Sequence, residues 1–135
     1  MEDKKSIQIR QFENSDFPAI IQLYAAEGWS NLVENAEQTK KAWENSNASC
    51  VALIENKIVG CVRGITDGHV SLYVCELICS KEYRGLGIGT ALLRFIHEAF
   101  PETRLELLGS SSSQSYYEKL QFRPYYGFRK TINEW

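Results

Sequence analysis

Arg84-Gly85-Leu86-Gly87-Ile88-Gly89-Thr90 stands between a long apolar run, Val70 to Cys79, and a stretch whose apolar residues recur at helical spacing: Ile88, Leu92, Phe95, Ile96 and Ala99. That order, strand to glycine-rich loop to helix, decides how the chain is read. The first turn of a helix carries unpaired N–H groups and a partial positive charge. Glycines at its mouth remove the side chains that would keep a phosphate from those donors. The segment is therefore a candidate pyrophosphate cradle. It lacks the Gly-Lys-Ser/Thr of a Walker loop. Nor is it a dinucleotide fingerprint: counted from Gly85, Thr90 replaces the third glycine, and the strands before it read as antiparallel. The plain alternative is a glycine-rich turn without a ligand, but three alternating glycines weaken the helix they open.

Working upstream, Ser6 to Phe12 alternates, with Ile7 and Ile9 on one face, as a strand does. Asn14, Ser15 and Asp16 offer capping side chains, Pro18 suits a first helical turn, and Phe17, Ile20, Ile21 and Tyr24 follow at helical spacing until Gly28. Asn35 to Ser46 reads as a second helix, supported by the Glu37/Lys41 pair. Cys50 to Glu55 and Ile58 to Thr66 flank a turn at Asn56-Lys57, and Asp67-Gly68 signals a two-residue hairpin into Val70 to Cys79. The near-continuous apolar character of that last run predicts a central strand buried on both faces. Downstream, Pro101 ends the helix, Arg104 to Leu108 is a strand, and Ser111 with Gln114 forms a possible capping box for a short helix through Leu120. Phe122 to Ile132 closes the chain as an extended segment bent at Pro124 to Gly127. The order β-α-α-β-β-β-α-β-α-β predicts an α/β (α+β) fold: a mixed, mostly antiparallel sheet with helices on its faces, in one domain spanning 1–135.

Composition narrows the classes. The 135 residues are 44% hydrophobic and 12% aromatic, enough for one core, and the formal net charge is −2. No basic stripe points to nucleic acid, and no apolar run approaches a membrane span. Met1 to Lys5 is charged with no apolar stretch behind it, so no signal peptide is expected. Cys50, Cys61, Cys75 and Cys79 sit in strand-like runs without a CxxC pair, which predicts buried reduced thiols, no metal site and a cytoplasmic location.

The stretch Leu77-Ile78-Cys79-Ser80-Lys81-Glu82-Tyr83-Arg84-Gly85-Leu86-Gly87-Ile88-Gly89 resembles the coenzyme A motif of the GNAT superfamily of N-acetyltransferases, with Arg84, Gly87 and Gly89 matching its Arg/Gln-x-x-Gly-x-Gly/Ala loop. Tyr116-Tyr117-Glu118-Lys119-Leu120-Gln121-Phe122 resembles the family's Phe-Tyr-Glu-Lys-x-Gly-Phe segment. The likeness covers about 58–132; Gln121 departs from the usual glycine, and Ser110 falls where many relatives carry a cofactor-touching asparagine. The resemblance implies a GNAT-like acyl-CoA N-acyltransferase fold and transfer of an acetyl group from acetyl-CoA to a primary amine of a small molecule or peptide. It implies a cofactor site made of Leu77, Ile78, Cys79, Ser80, Arg84, Gly85, Leu86, Gly87, Ile88, Gly89, Thr90, Ser110 and Tyr117. Backbone groups of Ile78, Cys79 and Ser80 would pair with pantetheine as if it were an added strand.

Acetyl transfer to an amine by direct attack needs a neutral amine, a donor for the carbonyl oxygen and a proton for the departing thiolate. Tyr117 matches the family's thiol-facing tyrosine, the expected acid; Tyr116, spaced i,i+4 from Leu120, suits a core aromatic instead. Glu76 is an acid within an apolar strand: either the base, or a residue facing water at a bulge or pairing with Arg63 or Arg104. His69 and His97 read as solvated or structural, and nothing points to an acyl-cysteine at Cys79. Trp29, in the loop after the first helix, either lines the acceptor pocket or anchors that loop in the core, and nearby Glu27 and Glu34 would favour a cationic acceptor. A module that binds acyl-CoA as a sensor without turnover is the alternative from another class. A homodimer through the aromatic C-terminal segment is also expected.

Overall fold

The computed structural model describes residues 6–135, so the charged start Met1 to Lys5 lies outside the described residues. The sheet is built from β1 (Gln8–Gln11), β2 (Cys50–Ile54), β3 (Lys57–Thr66), β4 (Ser71–Cys79) and β5 (Arg104–Leu107), in that spatial order. Neighbours run antiparallel from β1 to β4, and β5 joins β4 in parallel. The chain therefore forms the mixed, mostly antiparallel sheet flanked by helices that its pattern implies.

Two apolar layers sandwich the sheet. On one face α4 (Ile88–Ala99) lays Ile88, Leu92, Leu93 and Ile96 against Ala52, Val62, Leu72 and Val74. On the other, α1 (Phe17–Glu27) and α3 (Ala36–Glu44) pack Ile20, Tyr24 and Trp43 against Val51, Cys61 and Ile78. Strand alternation sends Val51 and Cys61 one way and Ala52 and Val62 the other. Gly28 ends α1 in the left-handed conformation at φ 82°, the role its position implies. At the other end of α1, Asp16 accepts the Glu13 N–H at 2.8 Å and both Arg10 nitrogens at 2.8 Å. Burial pushes the Asp16 carboxyl up, but these hydrogen bonds outweigh it and hold its pKa below the ordinary value.

Several expectations give way to the structure. The second helix is two: α2 (Ser30–Glu34) begins five residues early, and Asn35, outside helical geometry, separates it from α3. The Thr39 hydroxyl ties the break together, donating to the carbonyls of Leu32 and Asn35. The link from β3 to β4 is longer than a two-residue hairpin, because Asp67 Oδ1 accepts the N–H groups of His69, Val70 and Ser71 and so delays the start of β4. β4 is not buried on both faces: Tyr73 is 37% exposed. Ser111 does not cap the short α5 (Gln114–Lys119); Ser113 precedes it and turns its hydroxyl back to accept the Ser110 N–H. Cys50 and Cys61 are buried, but Cys75 and Cys79 only half so. Among the described residues the extended C-terminal segment joins no strand; it ends in a 3-10 turn at Ile132–Glu134, leaving Tyr125, Tyr126, Phe128 and Trp135 more than 80% exposed.

Candidate active site

β5 follows β4 only from Ser71↔Arg104 to Val74↔Leu107. β4 then continues to Cys79 with β3 along one side and, among the described residues, no strand along the other. Ladder alternation settles which backbone groups face the gap. Ser80 donates its N–H to Val59 O at 2.8 Å, so Ser80 and Ile78 point toward β3. Leu77 and Cys79 therefore turn their N–H and C=O groups to the side that β5 has left. Of Ile78, Cys79 and Ser80, the three expected to pair with pantetheine, only Cys79 offers an open hydrogen-bonding edge, together with Leu77; the backbone groups of Ile78 and Ser80 are turned to β3 instead.

The gap leads to the glycine-rich loop. After a 3-10 turn at Lys81–Tyr83, Gly85 and Gly87 both sit at φ 81°, which a side chain would strain. A Cβ at Gly87 would meet nothing within 4 Å, so its glycine serves the backbone angle and leaves the approach open. Gly87 accepts the first helical bond of α4 from Ala91 N–H at 3.0 Å. The N–H groups of Ile88, Gly89 and Thr90 then have no partner within the helix and form the donor mouth of α4. Leu86 projects from the loop at 57% exposure, while Ile88 anchors the helix start in the core. Arg84 reaches across to α1, where its guanidinium meets Glu27 at 2.6 Å and fixes the loop to the opposite side of the cleft. Glu27 is thereby engaged and is not a free charge for steering.

The two tyrosines divide differently from the expected pattern. Tyr116 is no core aromatic: at 37% exposure it places its hydroxyl 3.1 Å from Thr90 Oγ1, and a Cβ on Gly89 would lie 2.9 Å from that oxygen. Tyr117 is half-buried between the rings of Tyr116 and Phe122, at 5.1 and 5.5 Å. Burial, helped by Tyr116, pushes the Tyr117 phenol above its ordinary pKa, so it keeps its proton through the neutral range. Ser110, exposed after β5, is held in a serine cluster with Ser112 Oγ at 2.9 Å and Ser113 Oγ at 3.2 Å.

A register shift of β4 against β3 skips Cys75, so Val74 faces α4 while Glu76 faces α1. Glu76 is gripped there by Arg63, Nε to Oε1 at 2.7 Å and Nη2 to Oε2 at 2.6 Å. The Tyr24 hydroxyl donates to Oε1 at 2.9 Å and itself accepts Trp43 Nε1–H at 3.1 Å. Burial first, then Cys61 and Glu76, drives the Tyr24 phenol pKa far upward, which keeps it a donor. Of the sequence alternatives for Glu76, pairing with Arg63 is the one observed. Trp29 is half-buried with its ring 5.4 Å from Tyr24, one aromatic layer from the Glu76 carboxylate. The hub role of Tyr24 escaped the sequence, since its helical spacing marks it only as core. Neither His69 nor His97 borders the gap: His97 Nε2 lies 2.9 Å from Thr103 O behind α4. No helix among the described residues is long and apolar enough to cross a membrane.

Comparison with known proteins agrees with this fold. The acetyltransferase (GNAT) domain model matches residues 45–124, more than half of the chain, and the chain belongs to that family. No protein among the curated ones matches the sequence. Among solved structures, a GNAT-family acetyltransferase of Streptococcus pneumoniae superposes with a TM-score of 0.79 at 24% identity, over 97% of this chain and all (100%) of that one. A Trypanosoma brucei acetyltransferase gives 0.64 at 21% identity, over 93% of this chain and 99% of that one. A GCN5-related glucosamine N-acetyltransferase region of a fungal multi-domain β-N-acetylglucosaminidase gives 0.75 at 17% identity, over 90% of this chain and 17% of that much longer one. At these identities the superpositions speak to the fold.

Proposed function

We propose that the chain transfers an acetyl group from acetyl-CoA to a primary amine of a small molecule or peptide by direct attack, in the cytoplasm. The observation that carries this reading is the divergence of β4 and β5 beyond Val74 and Leu107, which opens an unpaired strand edge leading to the donor mouth of α4. Acetyl-CoA would supply an activated thioester there. The residues fit it: Gly85 and Gly87 leave the loop mouth clear, and a side chain on Gly89 would fill the space in front of Tyr116.

In this reading the loop Arg84-Gly85-Leu86-Gly87-Ile88-Gly89-Thr90 holds the pyrophosphate on backbone N–H groups and the helix dipole. Leu77 and Cys79 hydrogen-bond the pantetheine arm, and one of their N–H groups polarises the thioester carbonyl. Tyr117 keeps a proton at neutral pH and delivers it to sulfur as the C–S bond breaks. Ser110 lies at the end of β5 on the far wall. Trp29 and the Tyr24–Glu76–Arg63 chain form the acceptor side. Since Arg63 and Tyr24 already bond both Glu76 oxygens, we assign Glu76 to shaping that wall and leave deprotonation of the amine to water.

Gly89→Val tests the cofactor assignment. Gly89 lies inside α4 with an ordinary backbone angle, and the Tyr116 hydroxyl that would meet the added side chain is the far end of a flexible group. Calorimetric titration should show acetyl-CoA binding to the parent chain and a loss of at least about tenfold in affinity for Gly89→Val, at little cost in melting temperature. Equal affinity in the two folded proteins would remove the loop from the site.

A further inference from the structure

Beside the Glu76 cluster, the α1-facing side of the sheet is left bare. Alternation along β3 places Arg63 and Ile65 on that side, and along β4 it places Tyr73 there, with Glu76 following after the skipped Cys75. Ile65 and Tyr73 are direct cross-strand partners, and both are exposed, at 47% and 37%. α1 and α3 cover the opposite end of the strands, over Val51, Cys61 and Ile78, and stop short of this pair. On β5, Glu106 is the register partner of Tyr73 and so lies on the same side. Among the described residues no ion pair or hydrogen bond engages the Glu106 carboxylate, whereas Glu27 and Glu76 are both held by arginines. Arg104 shares the side but sits two residues farther from the gap, level with Ser71.

The exposed pair is thus a small apolar platform with a free carboxylate at its edge, and its upper border is the point where β4 and β5 part. We propose that Ile65 and Tyr73 seat the apolar body of the acceptor while Glu106 draws in its ammonium group, so the preferred substrates are alkyl or aryl amines and not small polar ones. This rests on the transferase reading and names its substrate class. Two features select that occupant. The platform is continuous with the gap where the thioester would lie, and the unpaired charge at its gap-side edge, Glu106, is complementary to an ammonium ion, while Arg104 sits farther from the gap. Stacking on Tyr73 gives an aromatic or alkyl body a flat apolar contact that a short polar amine cannot use.

The test uses phenethylamine and ethanolamine as probes, on the parent chain and on Tyr73→Ser, Ile65→Ser and Glu106→Gln. One arm measures KM for each amine; the other titrates phenethylamine calorimetrically into the chain saturated with CoA. Phenethylamine should bind at least about tenfold more tightly than ethanolamine, and each apolar variant should erase about that advantage. Glu106→Gln should weaken both amines about equally and reduce the salt dependence of binding. Acetyl-CoA affinity and melting temperature should hold in all three, since the side chains are on the surface. Equal affinity for the two amines, or a phenethylamine affinity untouched by Tyr73→Ser and Ile65→Ser, would overturn the proposal. The calorimetric arm decides it even in the absence of turnover, which would count against the transferase reading alone.

Discussion

Arg63 and Glu76 expose 15% and 12% of their side chains, so their charges depend on each other more than a surface pair would. Glu76→Gln keeps the shape and leaves the guanidinium without its counter-charge, at an expected cost of about 1–3 kcal/mol in urea unfolding. The acidic limb of the kcat/KM–pH profile should stay as it is; a flattened limb would make Glu76 the base. Tyr117→Phe should lower kcat by about 100-fold with acetyl-CoA affinity unchanged, since a proton is called for only when the thiolate leaves. Full activity of that variant would assign Tyr117 to packing against Phe122. Both residues were legible in the sequence, one as an acid in an apolar strand and one through its motif. Which partner Glu76 takes was not legible, because the register shift at Cys75 decides which way it faces and no local pattern marks that shift.

Loops and caps carry the next level. Asp67 organises the β3–β4 link by accepting three backbone N–H groups, from Val70, His69 and Ser71, and these lower its carboxyl pKa to about 2. An unfolded Asp titrates near about 3.9. The stability this carboxylate contributes is therefore fully present above about pH 4 and is lost as pH falls toward about 2. Urea midpoints of the parent chain and Asp67→Ala should differ at pH 5 and converge toward pH 2; a difference that persists at pH 2 would show that charge is not the source. The Asp67-Gly68 signal located the turn correctly, but the extra carboxylate bonds made it longer than the dipeptide alone implies. The split of α2 from α3 was hidden for a similar reason, since it depends on the Thr39 hydroxyl capturing the Leu32 carbonyl from seven residues away.

At the scale of the whole molecule, the two strong signals were the apolar strand with its glycine loop and the alternating runs that became an antiparallel sheet. Both are local patterns, and both reappear as the elements they predict, although β4 is buried on one face only at Tyr73. The C-terminal segment had no such pattern: its aromatics were read as part of the sheet, and they stand exposed beyond Phe122. The catalytic reading depends instead on a long-range feature, the parting of β4 from β5 over a gap that ends at α4. Its most direct test is product formation: free CoA thiol and acetylated amine followed together, with the chain, acetyl-CoA and a panel of primary amines. The expected result is stoichiometric release of CoA with the appearance of an N-acetylated amine, both lost in Gly89→Val. Acetyl-CoA that binds to the chain yet yields no acetylated product with any amine of the panel would contradict the transferase assignment and leave a cofactor sensor in its place.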